Sequence, residues 1–229
     1  ALEWPAEEAA PHGQCSVNSL QGANDSSVAT LQKANKLLRF MKANSDVGIL
    51  IRKIADRIED TRPMLLTDAA WGVREDGSSQ GGYLIQLGHK DVMQNKMSNY
   101  AVIDWRSWKL PRVSQSSLSS EAQAAAGGVN ALEFLTCFYS LCLVDRRDPR
   151  ADWTMQCMGE SALSVDTTGL YDAVQKEHVH NFEDRRTGIE AMVMNQRMRA
   201  AAVKWLWVSF ERQYADGLTK MAARQLLAD

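Results

Sequence analysis

Four carboxylates in this chain stand where acidic side chains can do chemistry. Asp68 ends the apolar run Leu65, Leu66, Thr67 and is followed by Ala69, Ala70 and Trp71. Glu121 follows Ser119 and Ser120, Asp166 closes Leu163, Ser164, Val165, and Asp216 opens Gly217, Leu218, Thr219, Lys220. Two end strand-like runs and two sit near the starts of helix-like ones, where a sheet and its flanking helices can bring side chains to one point. Carboxylates gathered in this way repel one another unless a counter-charge is present. A hard divalent cation supplies that charge, and two such ions about 3.5–4 Å apart suit in-line hydrolysis of a phosphodiester. Taken singly, each acid also has a plain structural explanation as a strand end or a helix cap, since helix N-termini favour negative charge.

The elements that must position these acids can be read from periodicity. Val28, Leu31, Ala34, Leu37, Leu38 and Met41 recur at helical spacing, with Lys33, Lys36, Arg39 and Lys42 on other faces. The first 26 residues, rich in small and polar types, show no sustained period. Val47 to Ile58 begins β-branched, and Thr61, Arg62, Pro63 read as a boundary because proline restricts itself and its predecessor. Strands are expected over Met64 to Ala70, Gly82 to Leu87 and Tyr100 to Trp105, with a turn at Asp76 to Ser79 and a loop over His89 to Asn99. A helix should start near Leu118 to Ser120, capped by Ser119 or Ser120 and weakened in the middle by Gly127 and Gly128. A charged connection over Asp145 to Arg150, a strand over Ala162 to Val165 and a short helix over Gly169 to Lys176 follow. Then come a polar loop over His178 to Arg186, a helix over Ile189 to Ala202, a strand over Lys204 to Val208 and a last helix over Asp216 to Leu227. Strands first, then alternating strands and helices, describe a mixed α/β sheet flanked by helices.

Composition narrows the class of protein. The 229 residues have room for one substantial core and an appendage, or for two small domains. No apolar run reaches the length of a membrane span and no secretory signal pattern is present, so no membrane partner is expected. A net charge of −2 argues against holding nucleic acid by bulk charge, leaving local basic patches to make any such contact. Cys15, Cys137, Cys142 and Cys157 form no zinc-type spacing and read as reduced thiols of an intracellular protein. The chain opens at Ala1 without an initiator Met, which suggests a piece of a longer polypeptide.

In their order and surroundings the four acids resemble the ribonuclease H domain of retroelement reverse transcriptases, above all those of copia-type LTR retrotransposons. Asp68, Ala69, Ala70, Trp71 match that family's Asp-x-x-Trp strand end. Ser79 to Tyr83 loosely match its hairpin signal, and Leu118, Ser119, Ser120, Glu121, Ala122 match its Leu-Ser-Ser-x-Glu-Ala helix start less one residue. Gln213 to Lys220 reproduce its Gln-x-Ala-Asp-x-Leu-Thr-Lys segment, the most specific match in the chain. The resemblance covers Met64 to Leu227, and Leu31 to Arg52 is similar to the connection segment upstream. It implies a ribonuclease H-like mixed five-stranded sheet flanked by helices over residues 63–229, preceded by a helical connection or tether over 1–62. Two family features are missing: a histidine near Thr187 to Glu190, and a histidine between Trp207 and Asp216 such as assists product release in many cellular relatives. Both bear on turnover and neither on the acids.

The resemblance further implies magnesium-dependent hydrolysis of the RNA strand of RNA/DNA hybrids, with manganese able to substitute. Asp68 would bridge two ions, Asp216 would help hold the one that activates water, and Glu121 with Asp166 the one beside the leaving oxygen. The polymerase portion of the same polyprotein would be a partner. Selectivity for RNA would come from reading the 2′-hydroxyl, with groups near residues 72–80 and 114–120, including Ser119 and Ser120, as candidates. Arg106, Lys109 and Arg112, flanked by Trp105 and Trp108, form the best basic and aromatic patch for gripping a hybrid. Trp71 is expected beneath the site as a packing residue, Trp205 or Trp207 in the core, Met192 and Met194 on a buried helix face, and His178 and His180 in solvent. The competing readings are a catalytically degenerate retroelement module that binds hybrid or serves as a tether, and an integrase-like strand-transfer enzyme.

Overall fold

The computed structural model describes residues 2–23, 27–94, 96–143, 160–175, 182 and 184–227. The connection over Asp145 to Arg150, Cys157, His178 and His180 lie outside the described residues. Strands β1 (Thr61–Ala70), β2 (Gln80–His89) and β3 (Tyr100–Lys109) form an antiparallel meander. Strands β4 (Ser161–Val165) and β5 (Val203–Trp207) continue the sheet in parallel, in the order β3-β2-β1-β4-β5. With helices on its faces, this is the mixed five-stranded sheet flanked by helices expected from the sequence.

β1 begins at Thr61, ahead of the expected Met64, and Pro63 lies inside it. Pairing with β4 starts only at Met64. At Pro63 the strand therefore has β2 on one side and nothing in the ladder on the other, so the missing amide proton costs no ladder bond. From Leu65 onward β1 is buried on both faces. One face carries Leu65, Ile85, Leu163 and Val165 against α4 (Ser117–Leu143), α5 (Thr168–Gln175) and α6 (Arg185–Ala200), whose Ala125, Val129, Leu132, Leu170 and Met194 complete the main core. The other face carries Leu66, Leu84 and Trp105 against Ala215 and against Leu218 of the single-turn helix α7 (Asp216–Thr219).

Helix α4 runs unbroken through Gly127 and Gly128, where a weakened middle was expected. A Cβ at Gly127 would lie 2.8 Å from the Trp108 ring, and one at Gly128 would lie 2.8 Å from the Thr67 methyl. The close approach of helix to sheet outweighs the intrinsic cost of glycine in a helix, about 1 kcal/mol per residue. Its cap also differs from expectation: Ser116 Oγ accepts from the Ser119 amide at 3.2 Å. The last helix is interrupted too. α7 stops at Thr219, Lys220 is extended, and Met221–Leu227 form a 3₁₀ segment.

Upstream, the aperiodic start folds as α1 (Glu3–Glu8) and α2 (Pro11–Gln21), while α3 (Val28–Ala43) follows its periodicity behind an N-cap at Ser27. Pro11 at the first turn of α2 starts that helix without a hydrophobic period. These helices lie on the α7 side of the sheet, where the Trp105 indole donates to Ala6 O at 3.0 Å. Residues 47–57 form no regular element, and their β-branched start adds no strand. Among the described residues, no helix is long and apolar enough to cross a membrane.

Candidate active site

Sheet register brings two of the acids together. β1 and β4 pair in parallel with Leu65 beside Leu163 and Leu66 beside Ser164, an offset that sets Asp166 beside Asp68. The Trp207 indole of β5 donates to Asp166 O at 2.9 Å and holds the strand end in place. Glu121 enters from α4, in the second turn rather than the first because the helix starts at Ser117, so end-capping does not account for it. Instead it faces the end of β1, where the Ala69 backbone next to Asp68 works to lower its pKa. Carboxylate oxygens of Asp68, Glu121 and Asp166 lie within 4.8 Å of one another.

Asp216 stands on the other flank of Asp68, outside that group of three. Gly82 pairs with Asp68 in the ladder, and a Cβ there would come within 2.7 Å of Leu218 and 2.9 Å of the Thr219 methyl. Glycine thus lets α7 close onto β1. Asp68 is thereby shared between Glu121 and Asp166 on one side and Asp216 on the other.

The electrostatics of the cluster are unfavourable. Burial pushes the Asp68 carboxyl up to about 6; the Lys220 ammonium opposes that rise and the Asp216 carboxylate adds to it. Burial, then the neighbouring Asp68 and Asp166, hold Glu121 well above the usual carboxylate range. Asp166 is raised by burial and then by Asp68. Glu121 Oε2 and Asp216 Oδ2 are buried with no hydrogen-bond partner. Buried acceptors without donors are costly and call for a cation or an ordered donor. This set of hard oxygen donors is of the kind that can hold a divalent cation.

Three neighbouring residues to which sequence reasoning gave no role complete the site. Lys220 Nζ donates to Asp216 Oδ1 at 2.8 Å and lies 3.6 Å from Asp68 Oδ2. The Thr219 hydroxyl donates to Asp68 Oδ2. Gln213, fully buried, donates to Thr67 O at 3.0 Å, tying the approach to α7 to the strand that carries Asp68. A signal for Lys220 was present: an acid four residues N-terminal to a lysine is a favourable helical pair.

The expected basic patch is divided. Arg106 stands over the Trp108 ring at 5.8 Å and, with Arg112, lines a groove between β3 and α4. Lys109 is paired with Asp76 of the β1–β2 turn, and Arg112 with Glu190 of α6. Trp105 is buried on the opposite face of β3 from Trp108. Ser119 and Ser120 are buried in the first turn of α4; the Ser120 hydroxyl donates to Ser117 O, and Ser119 lies on the rim shared with Arg112. Trp71 is not beneath the site: it is 53% exposed, its indole donating to Ser114 O at 3.0 Å. Trp205 packs against the main core and Trp207 is half exposed; Met194 is buried and Met192 is not.

No protein-family model and no curated protein matches the chain. Several solved structures are similar to it in backbone. One is the N-terminal RNase H domain of a Mycobacterium tuberculosis protein, solved as a fusion with maltose-binding protein, at 15% identity over 74% of this chain and 99% of that one, with a TM-score of 0.44. Another is LC11-RNase H1 in complex with an RNA/DNA hybrid, at 16% identity over 72% of this chain and 99% of that one, with a TM-score of 0.40. A third is the prototype foamy virus protease–reverse transcriptase, at 12% identity over 74% of this chain and 22% of that one, with a TM-score of 0.39.

Proposed function

We propose that this chain hydrolyses the RNA strand of RNA/DNA hybrids with two magnesium ions, as the ribonuclease H part of a copia-type retrotransposon polyprotein. The observation that carries the reading is the shared position of Asp68, between Glu121 and Asp166 on one side and Asp216 on the other, with buried oxygens left partnerless. Glu121, Asp166 and Asp68 would hold one ion, and Asp68 with Asp216 the other. Bound magnesium would lower the pKa of its water and neutralise the charge that develops on the phosphate, so no protein base is required.

The protein's own part is to hold the ligands still. Gln213, Thr219 and the Trp207 indole fix the strand ends that carry Asp68 and Asp166. The hybrid would pass over the exposed Trp71 turn and the groove of Arg106 and Arg112. The Lys109–Asp76 and Arg112–Glu190 pairs are partly exposed. Such pairs contribute about 0–1 kcal/mol, so a phosphate can exchange for the acid at little cost. Residues 1–62 would form the connection toward the polymerase portion of the polyprotein.

The test is Asp68→Asn. Cleavage of the RNA strand in a hybrid, followed on a gel in magnesium and in manganese, should disappear while the circular dichroism spectrum is kept. Undiminished cleavage by the variant, or hybrid binding without any cleavage by the unaltered chain, would overturn the proposal, the latter in favour of a degenerate binding module.

A further inference from the structure

The two halves of the carboxylate site are not equivalent, because one already contains a cation. Lys220 Nζ lies 2.8 Å from Asp216 Oδ1 and 3.6 Å from Asp68 Oδ2, between the two carboxylates that would share an ion on that flank. Those carboxylates are 0% and 2% exposed and held by α7 and β1, so they have little freedom to move. The lysine side chain is 37% exposed on a flexible four-carbon stem. Its backbone stays anchored separately, since the Lys220 amide donates to Asp216 O at 2.9 Å. The ammonium is thus the one component there that can leave without unfolding the site. Each flank keeps a buried carboxylate oxygen with no hydrogen-bond partner, Glu121 Oε2 and Asp216 Oδ2, so the difference between them is the ammonium seated against Asp216 and Asp68.

Resting on the metal-dependent reading above, we propose that Lys220 is a resident counter-ion that substitutes for the divalent ion on the Asp68–Asp216 flank and must be displaced before that ion binds. A divalent ion and an ammonium within a few ångströms of each other repel strongly where water is scarce. The ion on the Glu121–Asp166 flank displaces nothing and binds first. The ion on the Asp216 flank must expel Lys220 and binds more weakly. Lys220 is therefore a positioning residue: it keeps buried acids together in the metal-free chain and sets the metal concentration at which the site fills.

The experiment is calorimetric titration of the whole chain with Mg²⁺, repeated for Lys220→Met and Lys220→Arg, with metal-free melting temperatures recorded alongside. The unaltered chain should show two binding steps. Lys220→Met should tighten the weaker step by at least about fivefold, lower the Mg²⁺ needed for half-maximal cleavage by a similar factor, and lower the metal-free melting temperature. Lys220→Arg should restore the unaltered pattern, and provides the comparison should Lys220→Met fold poorly. A Lys220→Met chain that melts earlier but binds Mg²⁺ as before would make Lys220 a structural cap and overturn this inference alone. Absence of any Mg²⁺ uptake by the unaltered chain would overturn the metal-dependent reading as well.

Discussion

Two buried polar regions lie on the same sheet, and they are built on opposite principles. In the first, Asn18 Oδ1 accepts from Arg74 at 2.9 Å and from Gln80 at 3.1 Å. Gln80 also accepts from Arg74, and it donates to Ser107 Oγ at 2.8 Å, while Ser107 donates to Leu218 O. These bonds pair donors with acceptors, and the network ties α2 to the β1–β2 turn, to β3 and to α7. In the second, around Asp68, acceptors outnumber donors, and two carboxylate oxygens, Glu121 Oε2 and Asp216 Oδ2, have no hydrogen-bond partner. A satisfied buried network stabilises and orients its elements, whereas a surplus of buried negative charge destabilises the metal-free fold. The first region can be understood from the chain alone. The second calls for a counter-charge, which a divalent cation would supply.

The contrast can be broken most directly at Glu121. If the acidic region is catalytic, Glu121→Gln cuts hybrid cleavage by about 10³-fold or more, a barrier increase of about 4 kcal/mol, with no loss of thermal stability. A variant that melts early and still cleaves would assign Glu121 to structure. In the polar network the pattern reverses. Gln80→Leu removes one partner each from Asn18, Arg74 and Ser107 and should lower stability by about 1–3 kcal/mol, read as a drop of several degrees in melting temperature. Magnesium at about 100 times its dissociation constant should stabilise the unaltered chain by about 2.7 kcal/mol, and Asp68→Asn by much less, as thermal melts with and without the ion would show.

The smallest effect is the pH dependence, and its sign separates the regions further. The Asp68 carboxyl, raised to about 6, holds its proton in the fold at pH values where the unfolded chain has lost it. The stability this contributes is complete below about pH 4 and is lost as pH rises through 6. Glu121 and Asp166, also raised, act in the same direction. Metal-free Glu121→Gln should therefore be more stable than the unaltered chain above pH 7 and gain nothing near pH 4. Denaturant titrations at the two pH values check this, and an equal gain at both would point to packing rather than charge.

What could be read in advance follows from locality. Alternation and apolar runs locate β1 to β5, and periodicity locates α3, although Val28, Leu31 and Leu38 of its apolar pattern are exposed and only Leu37 is buried. Helices α1 and α2 carry no such signal and form against the sheet, where Trp105 reaches Ala6 O. The break after Thr219 is likewise invisible locally, since Asp216 to Leu227 has the composition of a continuous helix. The basic residues of β3 looked contiguous in the chain, but strand alternation and acidic partners across the fold divide them.

By itself the sequence determined the four acids, their strand-end and helix-start contexts, and the mixed sheet able to gather them. These properties depend on residue types and short spacings. Only the tertiary structure decided that Asp68, Glu121 and Asp166 form one group with Asp216 on the opposite flank of Asp68. It also decided that Lys220 lies between Asp68 and Asp216. The parallel register of β1 with β4 and the close approach of α7 over Gly82 set those separations, and both are contacts between segments far apart in the chain.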